Sequence, residues 1–374
     1  MAPSQPSLVF IVGGTGAQGM PIVKSLVEDG AYRVRILTRD ANSRRAKELA
    51  AIKPSHVEFI TGTFFSEEDM RTGLHGADYA FINIDGFNSG EQAELHWTIR
   101  AYEIALEEGI KFYVHGNLDF VYKKGGYKPQ LRTGHYDGKG RAGQWILQET
   151  KDNSKRMRAA LFTTGPYIQM LIHKFTPMAP TVKDGVVEWR VPLGNGAVAH
   201  VDLEDCGYYV RWIFDNQDRA NGMDFEVAVE MVDYSEMAKA FTKVTGKPAR
   251  YVNVSLEEYW KTGSLAPSAN RISGYSVKDN DRARMTVQKN FTGFWNMWKA
   301  SGKNQRVIQR DFKLLDEIHP NRTRSVEDWF RKEEKRGIEA GLGNLWERVN
   351  DLKMVLKVHE DMGGKKISRA ESRI

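Results

Sequence analysis

Short apolar runs alternate with amphipathic stretches through the first 165 residues. Leu8–Val12 is a β-branched run that ends at the cluster Gly13, Gly14, Gly16 and Gly19. Pro21–Glu28 then places Ile22, Val23, Leu26 and Val27 on one helical face. Arg33–Leu37, Val57–Thr61, Tyr79–Ile84, Phe112–His115 and Ala159–Thr163 read as further strands. Between them, Ala46–Ile52, Gln92–Glu108 and Arg141–Glu149 read as helices, and Ser66 with Glu67, Glu68 and Asp69 opens another. Strands that alternate with helices predict an α/β fold, a Rossmann-type doubly wound parallel sheet. Helices covering both faces explain why the strands are apolar throughout rather than alternating.

After Gly165 the rhythm changes. Val186–Val191 is a strand followed by the turn-rich segment Pro192–Gly196; Asp205–Asp215 and Ser235–Val244 read as helices. Phe225–Val229 has the character of a seventh strand returning to the main sheet. Gly263–Gly274 reads as loop, and Met285–Ala300 carries Phe291, Phe294, Trp295 and Trp298 at helical spacing. From Phe330 the chain is highly charged, and Gly363–Ile374 has the composition of a disordered end. The expected division is a dinucleotide-binding domain over 1–165, a smaller α/β substrate or partner domain over 166–330, and a charged extension over 331–374.

The 374 residues carry a net charge of +6. Part of that excess sits in the C-terminal stretch, so a basic face for direct nucleic-acid binding is not expected. No run of 18 apolar residues suggests a membrane span. Met1–Ser7 lacks the basic and apolar regions of a secretory signal and reads as a short frayed tail. The lone cysteine, Cys206, excludes an intrachain disulfide and a thiolate zinc site, which fits a reducing cytoplasmic or nuclear setting. No spacing of His, Asp or Glu suggests a metal site. Oligomeric state is not legible.

The segment Gly13-Gly14-Thr15-Gly16-Ala17-Gln18-Gly19 sets glycines in a G-x-x-G-x-x-G array between strand and helix. Glycine permits backbone angles closed to other residues. It also lets a diphosphate approach free N–H groups at a helix start, where the dipole favours negative charge. The flanking strand and helix give the array its meaning as a dinucleotide loop. At the end of the second strand stands Arg39, not a carboxylate, with Arg44 and Arg45 following. A guanidinium can pair with a ribose 2′-phosphate that a carboxylate would repel, so NADP(H) is expected over NAD(H).

The run Val9–Gly19 and the run Val34–Arg39 resemble the NmrA-like family, atypical members of the short-chain dehydrogenase/reductase superfamily. More specific is His135-Tyr136-Asp137-Gly138-Lys139-Gly140, which is similar to the family's His-Phe/Tyr-Asp-Gly-Lys-Gly segment. Tyr167–Phe175, His200–Asp205 and the pair of strings His319–Asn321 and Val326–Trp329 also resemble family segments. The resemblance covers about 8–332, and it implies a cleft between the two domains. It implies two kinds of function: NADPH-dependent reductases, and cofactor-sensing regulators that bind a protein partner. The enzyme reading takes a small apolar or aromatic carbonyl, imine or conjugated alkene as substrate.

By the same resemblance Lys139 contacts the nicotinamide side of the cofactor, and His135 or Tyr136 donates a proton from the preceding loop. Pro166, Tyr167 and Gln169 correspond to the segment covering the nicotinamide, Asn83 and Asp85 to the ribose edge, and Thr63 to the adenine side. The superfamily's strand-five serine is absent, since Val114-His115-Gly116-Asn117 stands there. His135, not Tyr, precedes Lys139 by four residues, so Ser-Tyr-Lys catalysis is not expected. His115 and Asn117 are possible substitutes. Trp260, Phe291, Trp295 and Trp298 are read either as a flat apolar pocket or as core.

Overall fold

Apolar strands dictate a central sheet, and the computed structural model has one with seven strands; it describes residues 5–274, 277–305 and 307–357. The expected disordered end, Gly363–Ile374, lies outside the described residues, as does most of the expected frayed start. The strands in chain order are β1 (Ser7–Val12), β2 (Tyr32–Thr38), β3 (Val57–Thr61), β4 (Tyr79–Ile82), β5 (Phe112–Leu118), β6 (Arg158–Thr164), β7 (Thr181–Lys183), β8 (Val186–Val191), β9 (Val198–Ala199), β10 (Asp224–Glu226), β11 (Met231–Val232) and β12 (Ala249–Asn253). The large sheet runs β10-β6-β5-β4-β1-β2-β3, and every pairing in it is parallel. The seventh strand is thus the late return, with Phe225 opposite Phe162.

One face of this sheet buries Ile22, Leu26, Tyr209, Ile213 and Phe214; the other buries Met70, Leu74, Tyr102, Ile104 and Ile146. The smaller domain holds the mixed sheet β12-β8-β7 and the pair β11-β9. Its core gathers Trp189, Phe241, Trp295, Trp298, Trp329 and Phe330. Trp295 and Trp298 are therefore core residues, not pocket lining. No described helix is long and apolar enough to cross a membrane.

One expectation needs correction. The helix read as Arg141–Glu149 spans Gly134–Asn153, so His135, Tyr136 and Lys139 lie in its first turns, not in a loop. Gly134, Gly138 and Gly140 hid this, because glycine disfavours a helix interior. Here the glycine is spent on contact: a Cβ on Gly140 would lie 2.4 Å from Phe120 Cα. Asp137 secures the helix start by accepting from Thr133 N at 2.9 Å and Tyr122 N at 3.1 Å. The charged stretch after 330 is folded over its described part. The helix Val326–Glu339 runs into it and Leu345–Asn350 follows, and Leu345 and Val349 are buried in the smaller core.

Candidate functional site

In the strand order β4-β1-β2, the chain leaves β1 in one direction and later crosses to β4 on the other side. Loops after β1 and β4 diverge at such a switch point and leave a crevice at the strands' carboxyl ends, where ligands bind in open α/β sheets. The glycine loop and the segment from Asn83 to Phe87 meet there. Gly13 has φ +88°, and a Cβ on it would lie 2.8 Å from Asn83 O. A Cβ on Gly19 would lie 2.1 Å from Gly13 O, so the loop closes only without side chains. Thr15 and Gln18 are buried, and Gly16 N donates to Gly13 O at 2.9 Å. The helix Gly19–Val27 begins directly after the loop, giving Ala17 and its neighbours the setting of an anion-binding turn.

Gln18 does not face outward. Its Oε1 accepts from Asn83 Nδ2 at 2.6 Å, and its Nε2 donates to Thr164 Oγ1 at 3.5 Å. It ties the ends of β1, β4 and β6 together.

At the end of β2, Arg39 and Asp40 are both exposed. Asp40 spends its carboxylate on the turn, accepting from Asn42 N at 2.8 Å. Arg44 pairs along its helix with Glu48 at 2.9 Å. Arg45 is buried and donates to Val355 O at 3.2 Å. Thr63 N donates to Asp69 Oδ2 at 2.8 Å just past β3.

Lys139 is the centre of the crevice's other half. It is buried rather than a surface lysine. Its Nζ donates to Ile84 O at 2.6 Å, Asn83 Oδ1 at 3.1 Å and Gly116 O at 3.3 Å, and lies 3.0 Å from Glu94 Oε1. An ammonium has three N–H groups, and here four acceptors surround it. The Glu94 contact is ionic rather than a directed hydrogen bond. Burial raises the Glu94 carboxyl from 4.5 to about 7 against the pull of Lys139, and Asp85 and Glu91 add to the rise.

The other expected residues divide. His135 lies one turn before Lys139; its Nδ1 is 3.0 Å from Asn290 Oδ1, and its ring packs against both Phe87 and Phe291. Burial lowers its imidazole to about 4, so it is neutral at physiological pH. Tyr136 points into the smaller core against Phe294 and Trp298, and burial raises its phenol well above the usual value. Asp85 caps the short helix Gly86–Ser89 through Phe87 N at 3.0 Å. Pro166 O accepts from Val201 N at 3.0 Å, and Tyr167 bridges to Val201. Gln169 donates to Asp202 Oδ1 at 2.8 Å. His115 is fully enclosed and lowered by burial to about 3; Asn117 is held by Thr163 at 2.8 Å. Trp260 donates to Thr292 Oγ1 at 3.0 Å, and Phe291 stacks with Phe87 and packs on His135, so these three rings form an aromatic cluster.

Glu94 was not anticipated. A signal existed: Glu94, Thr98, Ala101, Tyr102 and Ala105 form one buried helical stripe, and an acid within such a stripe is unusual.

The arrangement can therefore seat a diphosphate on the glycine loop, a second anionic group near Arg39, and a polar oxygen near Lys139. A profile of the NmrA-like family matches residues 5–281. An NmrA-like family domain-containing protein of Dictyostelium discoideum is 25% identical over 300 residues, covering 76% of this chain and 95% of that protein. An NmrA-like family domain-containing oxidoreductase of Aspergillus hancockii is 23% identical over 274 residues, covering 70% of this chain and 78% of that one. Among solved structures, the negative transcriptional regulator NmrA in complex with NADP superposes with a TM-score of 0.67 at 18% identity, covering 90% of this chain and 98% of that one. An Escherichia coli NADPH-dependent quinone oxidoreductase complexed with NADPH gives 0.62 at 17%, covering 86% and 98%. This chain belongs to the NmrA-like family.

Proposed function

We propose that the protein binds NADP(H) and is an oxidoreductase acting on a small apolar or aromatic carbonyl, imine or conjugated alkene. The observation that carries this reading is the buried Lys139–Glu94 pair, 3.0 Å apart, beside the glycine loop. The residues suit the cofactor: the cradle between Gly13 and Gly19 is one that a Cβ would fill. Gly13, Thr15, Gly16, Ala17, Gln18 and Gly19 form the diphosphate turn, and Arg39 with Arg44 faces the 2′-phosphate. Bound there, the nicotinamide supplies or accepts hydride.

The chain's own part is to orient and to move a proton. The three N–H groups of Lys139 are taken by Ile84 O, Asn83 Oδ1 and Gly116 O, and a ligand oxygen can replace the longest contact, Gly116 O at 3.3 Å, while the Glu94 carboxylate still faces the ammonium. Glu94, with its carboxyl near 7, changes protonation under physiological conditions and can return a proton to Lys139. His135, neutral and apolar-walled, shapes the pocket and leaves proton supply to that pair. Phe87 and Phe291 favour a flat, apolar substrate.

A second reading, a sensor that presents a protein partner with a cofactor-dependent surface, is supported by the absence of the superfamily's serine and by the burial of Tyr136. It requires the cofactor to bind two shapes unequally. Oxidation of NADPH over a panel of quinones, enones and imines separates the two. Turnover that is lost in Lys139→Ala supports the enzyme. Silence across the panel, with a partner retained only in the presence of NADPH, supports the sensor.

A further inference from the structure

After the helix Leu345–Asn350, residues 351–357 stay on the molecule. Leu352 packs on the smaller core, Lys353 forms a parallel bridge to His173, and Lys353 O accepts from Lys174 N at 2.9 Å. Two residues on, Val355 O accepts from the buried Arg45 on the other side of the crevice, at 3.2 Å. Lys357 then places its Nζ 2.7 Å from Thr15 Oγ1, inside the glycine loop, 342 residues away in sequence. Residues 352–357 thus start on the smaller domain, cross to the dinucleotide-binding domain and end on the loop that cradles a diphosphate.

We propose that this strap is part of the cofactor site, and that the Lys357 ammonium binds a phosphate group of the dinucleotide. The proposal rests on the reading of the glycine loop as a dinucleotide site. Its chemistry is simple. The loop offers backbone N–H groups, which are dipoles, whereas Lys357 brings a full positive charge to the same place. A phosphate seated on the loop lies within reach of both, and a charge-assisted contact is stronger than a neutral one. Because the strap is anchored on both domains, a phosphate that holds Lys357 also holds the crevice closed. The family's glycine array and the arginine after β2 do not provide this contact, since it comes from the opposite end of the chain.

The test compares full-length wild type, Lys357→Met and Lys357→Arg for binding of NADPH and of NADH, each followed by fluorescence titration at two salt concentrations. Met keeps most of the side chain's length and removes the charge at a half-buried position. The expected result is affinity about tenfold weaker in Lys357→Met, equivalent to about 1.4 kcal/mol, with Lys357→Arg close to wild type and the deficit shrinking at high salt. An equal loss for both nucleotides places the ammonium on the diphosphate. A loss for NADPH alone places it on the 2′-phosphate. Wild type that binds NADPH while Lys357→Met binds it equally well overturns the strap and leaves the cofactor reading standing. Tighter binding by Lys357→Met also overturns it, since the strap would then be a plug. Wild type that binds neither nucleotide overturns the reading beneath.

Discussion

Replacing Glu94 by Gln tests the buried pair at the heart of the crevice. The carboxyl stands at about 7 in the fold against an ordinary value of 4.5. At about 1.4 kcal/mol per pH unit, that difference corresponds to roughly 3 kcal/mol. The sign follows from linkage. Below pH 4.5, folded and unfolded chains both hold the proton and nothing is lost. Between 4.5 and about 7 the unfolded chain ionises first, so stability falls as the pH rises. Above 7 both states are ionised and the loss is complete. An amide at this position cannot ionise, so its contribution is flat. Urea unfolding of the two proteins at pH 5, 6, 7 and 8 should show Glu94→Gln gaining on wild type by up to about 3 kcal/mol across that window, on top of a constant offset from its weaker hold on Lys139. The same substitution should remove an ionisation near neutrality from the pH profile of NADPH oxidation. A stability difference that stays constant from pH 5 to 8 would refute the assignment of a raised carboxyl to Glu94.

Three further outcomes follow from named contacts. Gly19→Ala puts a Cβ within 2.1 Å of Gly13 O and forces the loop open, so NADPH affinity should drop at least about tenfold and stability by about 1–3 kcal/mol, read by titration and urea unfolding. Arg39→Ser should weaken NADPH by about 1.5–3 kcal/mol and leave NADH nearly unchanged; equal losses for the two would contradict the 2′-phosphate role. Asp119→Asn leaves the fully buried Arg310, now bonded to Asp119 at 2.7 Å, without its carboxylate, and should cost about 3–5 kcal/mol of stability; a cost under about 1 kcal/mol would show that the pair is relieved by water.

The large sheet was legible because its strands are buried on both faces, which leaves apolar runs that few other elements produce. The glycine loop was legible because backbone geometry restricts residue choice there. Reading failed where one residue type serves two purposes. Gly134, Gly138 and Gly140 look like breaks in a helix, yet they allow Phe120, Glu91 and Glu94 to approach its first turns. Gln169 and Tyr136 matched family positions, but their side chains turn to Asp202 and to Trp298. Lys357 gave no local signal at all, because its partner Thr15 lies at the opposite end of the chain and only the closed fold brings them together.

Calorimetric titration of the purified chain with NADPH and, separately, NADH tests the central claim most directly. Saturable binding of one NADPH per chain, tighter than NADH and raising the melting temperature, is the predicted result. No heat and no thermal shift with either nucleotide would contradict the account at its root.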